Sequence, residues 1–145
     1  MIITVYGLPA PQGSKRHVGH GVMIESSKKV KPWREAVKWA ALELIHGELV
    51  PCGRVLVTGP IRAEITFTMP RPKSAKAGAV PATRPDLSKL VRSTEDALTD
   101  VGAWEDDARV VECLARKVYP GEHPDALATP GAVIRIEAAR KAGKL

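Results

Sequence analysis

The sequence predicts a two-layer α+β fold, a mostly antiparallel sheet with two helices packed on one face. Three observations point there. β-Branched runs closed by Gly or Pro recur along the chain, two other segments place apolar residues at helical spacing, and the two kinds alternate as strand, helix, strand pair, helix, strand, strand. A chain of 145 residues can bury a core of its own, so residues 1–145 are expected to form one domain. No repeat at a solenoid period divides it.

Residues 2–6, IITVY, end at Gly7 and Pro9 and predict the opening strand. A basic loop follows, in which Gln12, Gly13, Ser14, Lys15 and Arg16 present donors together, and residues 22–24 predict a brief second strand before Ser26, Ser27, Lys28 and Lys29. This loop reads either as a solvated turn or as an arm contacting phosphates. Pro32 suits the first position of a helix, and Trp33, Val37, Ala40, Ala41 and Leu44 recur at helical spacing before Gly47. Trp33 and Trp39 are available to stack on bases, but aromatics on such a helix belong first to a core. Residues 55–58 and 61–69 alternate as one bulged strand or a hairpin, with Gly59 and Pro60 between them.

Residues 70–85, PRPKSAKAGAVPATRP, have no hydrophobic period and form a long loop. Such loops inside compact domains are functional or disordered, and Arg71, Lys73, Lys76 and Arg84 make this one a candidate to contact DNA, with a solvated loop as the alternative. The second helix is expected over 87–99. Leu87, Leu90, Val91, Thr94, Ala97 and Leu98 form its buried stripe, while Asp86, Lys89, Ser93 and Asp96 lie on a more polar side. After a turn at Gly102, residues 108–118 predict a strand. A Pro-rich loop over 120–130 leads to the closing strand at 132–138, and Arg140, Lys141 and Lys144 form a basic tail.

Lys and Arg outnumber Asp and Glu by 22 to 16, a formal net charge of +6. This favours a polyanionic partner, although a basic soluble protein without one has the same balance. Cys52 and Cys113 lack the C-x-x-C spacing of a zinc site and fall in or beside apolar runs, so reduced, buried thiols of a cytoplasmic protein are expected. No apolar stretch approaches the roughly 20 residues of a membrane span, and Met1 leads straight into the first strand rather than a signal peptide. His17, His20, His46 and His123 are scattered and give no metal-site spacing, and nothing resembles a nucleophilic Ser or Cys triad.

The segment 84–117, RPDLSKLVRSTEDALTDVGAWEDDARVVECLARK, carries the chemistry. Asp86 opens the second helix, Asp96 sits near its end, and Asp106 and Asp107 follow the turn ahead of Val110 and Val111. Mg²⁺ takes hard oxygen ligands and keeps several waters, so one or two carboxylates plus a substrate phosphate make a sufficient site. Each acid also has a plainer role. Asp86 suits an N-cap, and Asp106 and Asp107 suit an exposed turn. In an extended chain those two neighbours point to opposite faces, leaving one as a direct ligand. Arg92 stands four residues before Asp96, which predicts an ion pair worth a few tenths of a kcal/mol.

The wording PDLSKL, then DAL, then W-E-DD-A-R-VV resembles the RusA family of Holliday junction resolvases, particularly its phage-type members. The openings GLPAPQGSKR and ESSKKVKPWREAV are similar to the same family, and together these matches cover most of the chain in the family's order. The resemblance implies the same α+β architecture, a homodimer, and a Mg²⁺-dependent endonuclease for which Mn²⁺ is a possible substitute. It points to Asp107 as the essential metal ligand, supported by Asp106. The family's first motif reads D-x-D with Asn next and a Lys six residues after the first Asp. Here those positions hold Ser88, Lys89 and Arg92. The Ser88 hydroxyl can hold a metal-bound water but supplies no charge, with Asp96 or Glu95 as compensating acids. Lys89 is placed to contact the scissile phosphate, and Arg92 keeps the family's positive charge in a form that grips phosphate bidentately.

The expected function is therefore paired, symmetric nicking of four-way DNA junctions. Asp86, Asp106, Asp107, Lys89 and Arg92 are expected at the catalytic centre, Asp86, Asp96, Asp106 and Asp107 at the metal, and Lys15, Arg16, Lys73, Lys76 and Arg84 on DNA. The expected compartment is the cytoplasm, that of a bacterial host if the protein is phage-encoded. The alternatives are a non-catalytic branched-DNA binder and a general nucleic-acid binding module.

Overall fold

The computed structural model describes residues 1–13, 15–17, 19–20, 23–25, 28–47 and 57–140, with the side chains of 15–17, 23–25, 46 and 47 left aside. The strands are β1 (Ile2–Tyr6), β2 (Lys15–His17), β3 (Met23–Glu25), β4 (Ile61–Thr68), β5 (Val110–Val118) and β6 (Gly131–Ala138), and the helices are α1 (Val30–Gly47) and α2 (Leu87–Asp100). The class is α+β, as the alternation of periods predicts. The main sheet has the order β1-β6-β4-β5, while β2 and β3 make a separate antiparallel ribbon. β6 runs antiparallel to both β1 and β4, and β5 runs parallel to β4. The parallel pair follows from α2, which lies between those two strands in sequence and returns the chain across the sheet.

Strand alternation decides which face is covered. Ile3 and Val5 of β1, Ile61, Ile65 and Phe67 of β4, and Ala132, Ile134 and Ile136 of β6 are buried with Trp33, Val37 and Ala41 of α1 and Leu90, Ala97 and Leu98 of α2. The Trp33 indole N–H donates to Thr94 Oγ1 at 3.1 Å in this core. The two helices are thus tied by a bond whose loss leaves a buried donor unpaired.

Several local expectations are corrected. Helix α1 begins at Val30, two residues before Pro32, which the first turn tolerates because its N–H groups lack intrahelical partners. Trp39 is 66% exposed and has no part in the core. Lys15–His17 is a strand rather than loop, because β3 pairs with it. Ser93 belongs to the packed side of α2, since its hydroxyl donates to the Ala10 carbonyl at 2.7 Å and can also bond the Leu90 carbonyl at 3.0 Å. Cys113 is exposed, not buried, because β5 is an edge strand. Of residues 55–58, Val57 makes an isolated bridge to Trp104. Cys52 and the other residues of 51–56 lie outside the described residues, as do Lys141 and Lys144 of the tail.

Candidate functional site

The N-terminus of α2 stands over a groove of about 640 Å³ whose walls include Gln12, Lys29, Arg84, Asp86, Lys89 and Lys117. Asp86 occupies the N-cap position with extended backbone (φ −67°, ψ 133°), yet its side chain makes no capping hydrogen bond. The cap expected from its position is not formed. The carboxylate lies instead 3.6 Å from the Lys89 ammonium, and both side chains are more than half exposed. Lys117 sits in register with Phe67, so it points to the helix side of the sheet. There its ammonium donates to the carbonyls of Thr83 at 2.7 Å and Pro85 at 2.9 Å. Carbonyl partners satisfy its donors without cancelling its charge, and the groove keeps a positive potential.

The second half of α2 is different. Glu95 is half-buried, and desolvation, then the nearby charges of Asp107 and Asp96, raise its pKa to about 6 against a partial opposing effect of Arg92. On β5, desolvation and then Glu95 push the Cys113 thiol up to about 11. Glu95 thus lies within electrostatic reach of both Asp107 and Cys113. Asp106 precedes the 3-10 turn Asp107–Arg109, and its carboxylate accepts from the Ala108 N–H at 2.7 Å, which holds that turn in shape.

Asp96 turns the other way. It lies 3.8 Å from Arg34 of α1, which also holds Asp100 at 2.8 Å. The expected Arg92–Asp96 pair is not made, because Arg34 reaches that acid from the packed neighbouring helix. Burial pushes the Asp100 carboxyl up, but its bonds to Lys38 and Arg34 outweigh that and hold it below the usual carboxylate range.

The four candidate ligands therefore stand apart within one chain. Asp86 borders the groove, Asp96 faces α1, Asp106 braces its own turn, and Asp107 joins Glu95. Asp86 and Glu95 are nine positions apart on a helical path, roughly 13 Å along the axis. Among the described residues no three His, Cys, Asp or Glu side chains are grouped to hold a metal ion. The donor chemistry nevertheless fits Mg²⁺, which one or two carboxylates can hold while water and phosphate complete the octahedron.

Of the expected DNA contacts, Lys73, Lys76 and Arg84 are exposed, while the side chains of Lys15 and Arg16 lie outside the described residues. The loop carrying Lys73 and Lys76 is fastened at its base. Arg71 bonds Glu122 at 2.6 Å and the Lys76 carbonyl at 2.9 Å, and its guanidinium lies 5.1 Å from the centre of the Tyr119 ring. Sequence reasoning missed Lys117. The signal was its position two residues beyond Ala115, which puts a cation on the helix-facing side of a strand.

The family model described as Endodeoxyribonuclease RusA matches residues 7–136. The chain is also 30% identical over 132 residues to a Bacillus subtilis (strain 168) protein described as Uncharacterized protein YqaN, a match covering 82% of this chain and 87% of that protein.

Proposed function

The chain belongs to the RusA endodeoxyribonuclease family, whose members resolve Holliday junctions, and we propose that it is a Mg²⁺-dependent resolvase, with Mn²⁺ as a possible substitute, that acts as a homodimer and nicks two strands of a four-way junction symmetrically. The observation that carries this reading is the Asp86 carboxylate, which forgoes its cap and borders a groove walled by Lys89, Arg84 and Lys117. A helix N-terminus edged with cations suits a phosphodiester. An adjacent exposed carboxylate suits the cation that such a phosphate brings.

Lys89, Arg84 and Lys117 hold and orient the DNA backbone, and Arg92 extends that positive strip along α2. Asp86, Asp107 and Glu95 are the carboxylates that would hold Mg²⁺, with Asp106 shaping the turn that presents Asp107. When bound, Mg²⁺ supplies activation of water and neutralisation of charge at the phosphate. Two-fold symmetry matches the two equivalent strands of a junction. Selectivity then comes from junction shape and phosphate positions.

The second reading, a branched-DNA binder without catalysis, draws on Ser88, which stands where the family's second acid is expected. Incubating the protein with a synthetic four-way junction, with and without Mg²⁺, separates the two. Symmetric nicks that need Mg²⁺ and spare linear duplex are expected. Junction binding with no nicking in either Mg²⁺ or Mn²⁺ removes the catalytic reading.

A further inference from the structure

The groove at the start of α2 is divided by chemistry. Its five buried lining residues, Pro9, Ala10, Met69, Pro81 and Tyr119, are apolar or aromatic, whereas its cations Lys29, Arg84 and Lys89 are exposed. An apolar floor thus lies beneath a cationic mouth. Pro11, Pro70, Pro72 and Pro85 extend the walls. Proline carries no N–H, so these walls offer rigid apolar surface and few backbone donors.

The walls are fastened from two sides. The Ala10 carbonyl accepts from the Ser93 hydroxyl at 2.7 Å and the Gln12 N–H donates to the Lys89 carbonyl at 2.9 Å, which ties residues 10–12 to α2. The Met69 N–H donates to the Val118 carbonyl at 2.8 Å, and Lys117 of the same strand, β5, holds the carbonyls of Thr83 and Pro85. A ligand therefore meets a formed pocket and loses little affinity to ordering it.

Size and charge together choose the occupant. A space of about 640 Å³ falls in the range that encloses a small organic molecule, roughly 300–1,000 Å³, and no duplex fits inside it. A phosphate suits the cations of the mouth. A flat ring suits the floor, since every base presents a π-face to aromatic and apolar side chains. One nucleotide satisfies both ends. Asp86 lines the same groove, so such a nucleotide would lie beside the phosphodiester to be cut. A base inside a duplex reaches this floor only by leaving its stack, at a cost that is least where pairing is already disturbed. The crossover of a four-way junction is such a place.

We propose that the groove is a nucleobase pocket, which takes one unstacked base from the crossover of a junction while Lys29, Arg84 and Lys89 hold the adjoining phosphate. This rests on the junction-nuclease reading above and adds a source of selectivity, because a linear duplex must break both a pair and a stack to fill the pocket.

The test uses a four-way junction carrying 2-aminopurine at each crossover position in turn, titrated with the protein in EDTA so that binding is read without cleavage. Stacking quenches this base. At saturation a several-fold rise in fluorescence is expected at one crossover position or more, with no rise for the same base in a linear duplex. A flat signal at every position overturns the pocket, and an equal rise in the duplex overturns its part in selectivity. A junction with 5-iodouracil at the responding position then locates the base, and irradiation should join it to Tyr119 or Met69. Adducts only outside the groove, or none, overturn the assignment. A wild type that gives both signals but nicks no junction in Mg²⁺ leaves the pocket standing without the nuclease reading, and a wild type that nicks with a flat signal does the reverse.

Discussion

The two ends of α2 hold their acids under opposite conditions. At the N-terminal end Asp86 is exposed, paired with Lys89 and surrounded by cations, so its charge is screened and costs little. In the second half Glu95 is half-buried beside Asp107 and Asp96, and its ionised form is disfavoured. An acid among cations is at rest without a metal, whereas an acid among acids gains most from one. The contrast sets two surroundings on one helix, cations around the acid at the start and acids around the acid further along.

The sharpest way to break that contrast is to remove one acid from each end. Asp107→Asn should lower single-turnover nicking about 10²-fold or more, the scale of removing one electrostatic partner of the transition state, while junction binding stays near wild type. On the proposed reading, in which both acids hold Mg²⁺, Asp86→Asn should lose activity equally. If it keeps most of the wild-type rate, the N-terminal end only binds.

Next in size are the loop cations. Ala at Lys73 or Lys76 should weaken junction binding and reduce the salt slope by about one for each phosphate that is no longer neutralised. Unchanged slopes in a titration over several salt concentrations would make the loop a bystander.

Glu95 sharpens the other half. Its folded pKa of about 6 lies above the ordinary 4.5, so the stability linked to its protonated form is present below pH 4.5 and lost as pH rises through 6. Glu95→Gln should therefore melt higher than wild type at pH 8 and the same at pH 4. Mg²⁺ should raise the wild-type Tm at pH 8 more than that of the variant. Identical melting curves at pH 8, with and without Mg²⁺, would place Glu95 outside any cation site.

The smallest expected effect is at Ser88. Ser88→Asp adds an anionic oxygen near Asp86 and should lower the Mg²⁺ concentration for half-maximal nicking a few-fold. An unchanged or higher requirement would mean that the carboxylates already present suffice.

The sequence was most legible where one physical pattern dominates. The stripe of α2 predicted Leu87, Leu90, Val91, Thr94, Ala97 and Leu98 as buried; four of them are, and Leu87 and Val91 are partly buried against the core. The alternation of 132–138 gave β6 within a residue. It was least legible where partners come from afar. Ser93 reads as polar until Ala10 supplies an acceptor. Asp96 reads as the partner of Arg92 until α1 delivers Arg34. Cys113 reads as core until its strand proves to be the sheet's last. The candidate acids were legible as types, but spacing along a chain does not reveal that α2 and β5 run in opposite directions and keep Asp86 and Asp107 apart.

Arg71 gives the Pro-rich loop a thermodynamic advantage. Its bonds to Glu122 and the Lys76 carbonyl and its stacking on Tyr119 join the 70–85 and 120–130 segments at their base. The ordering entropy of that base is then met during folding, so a ligand that meets Lys73 and Lys76 finds their backbone already held. Loops ordered only on contact forfeit part of their affinity to that ordering. Arg71 lets this one retain it.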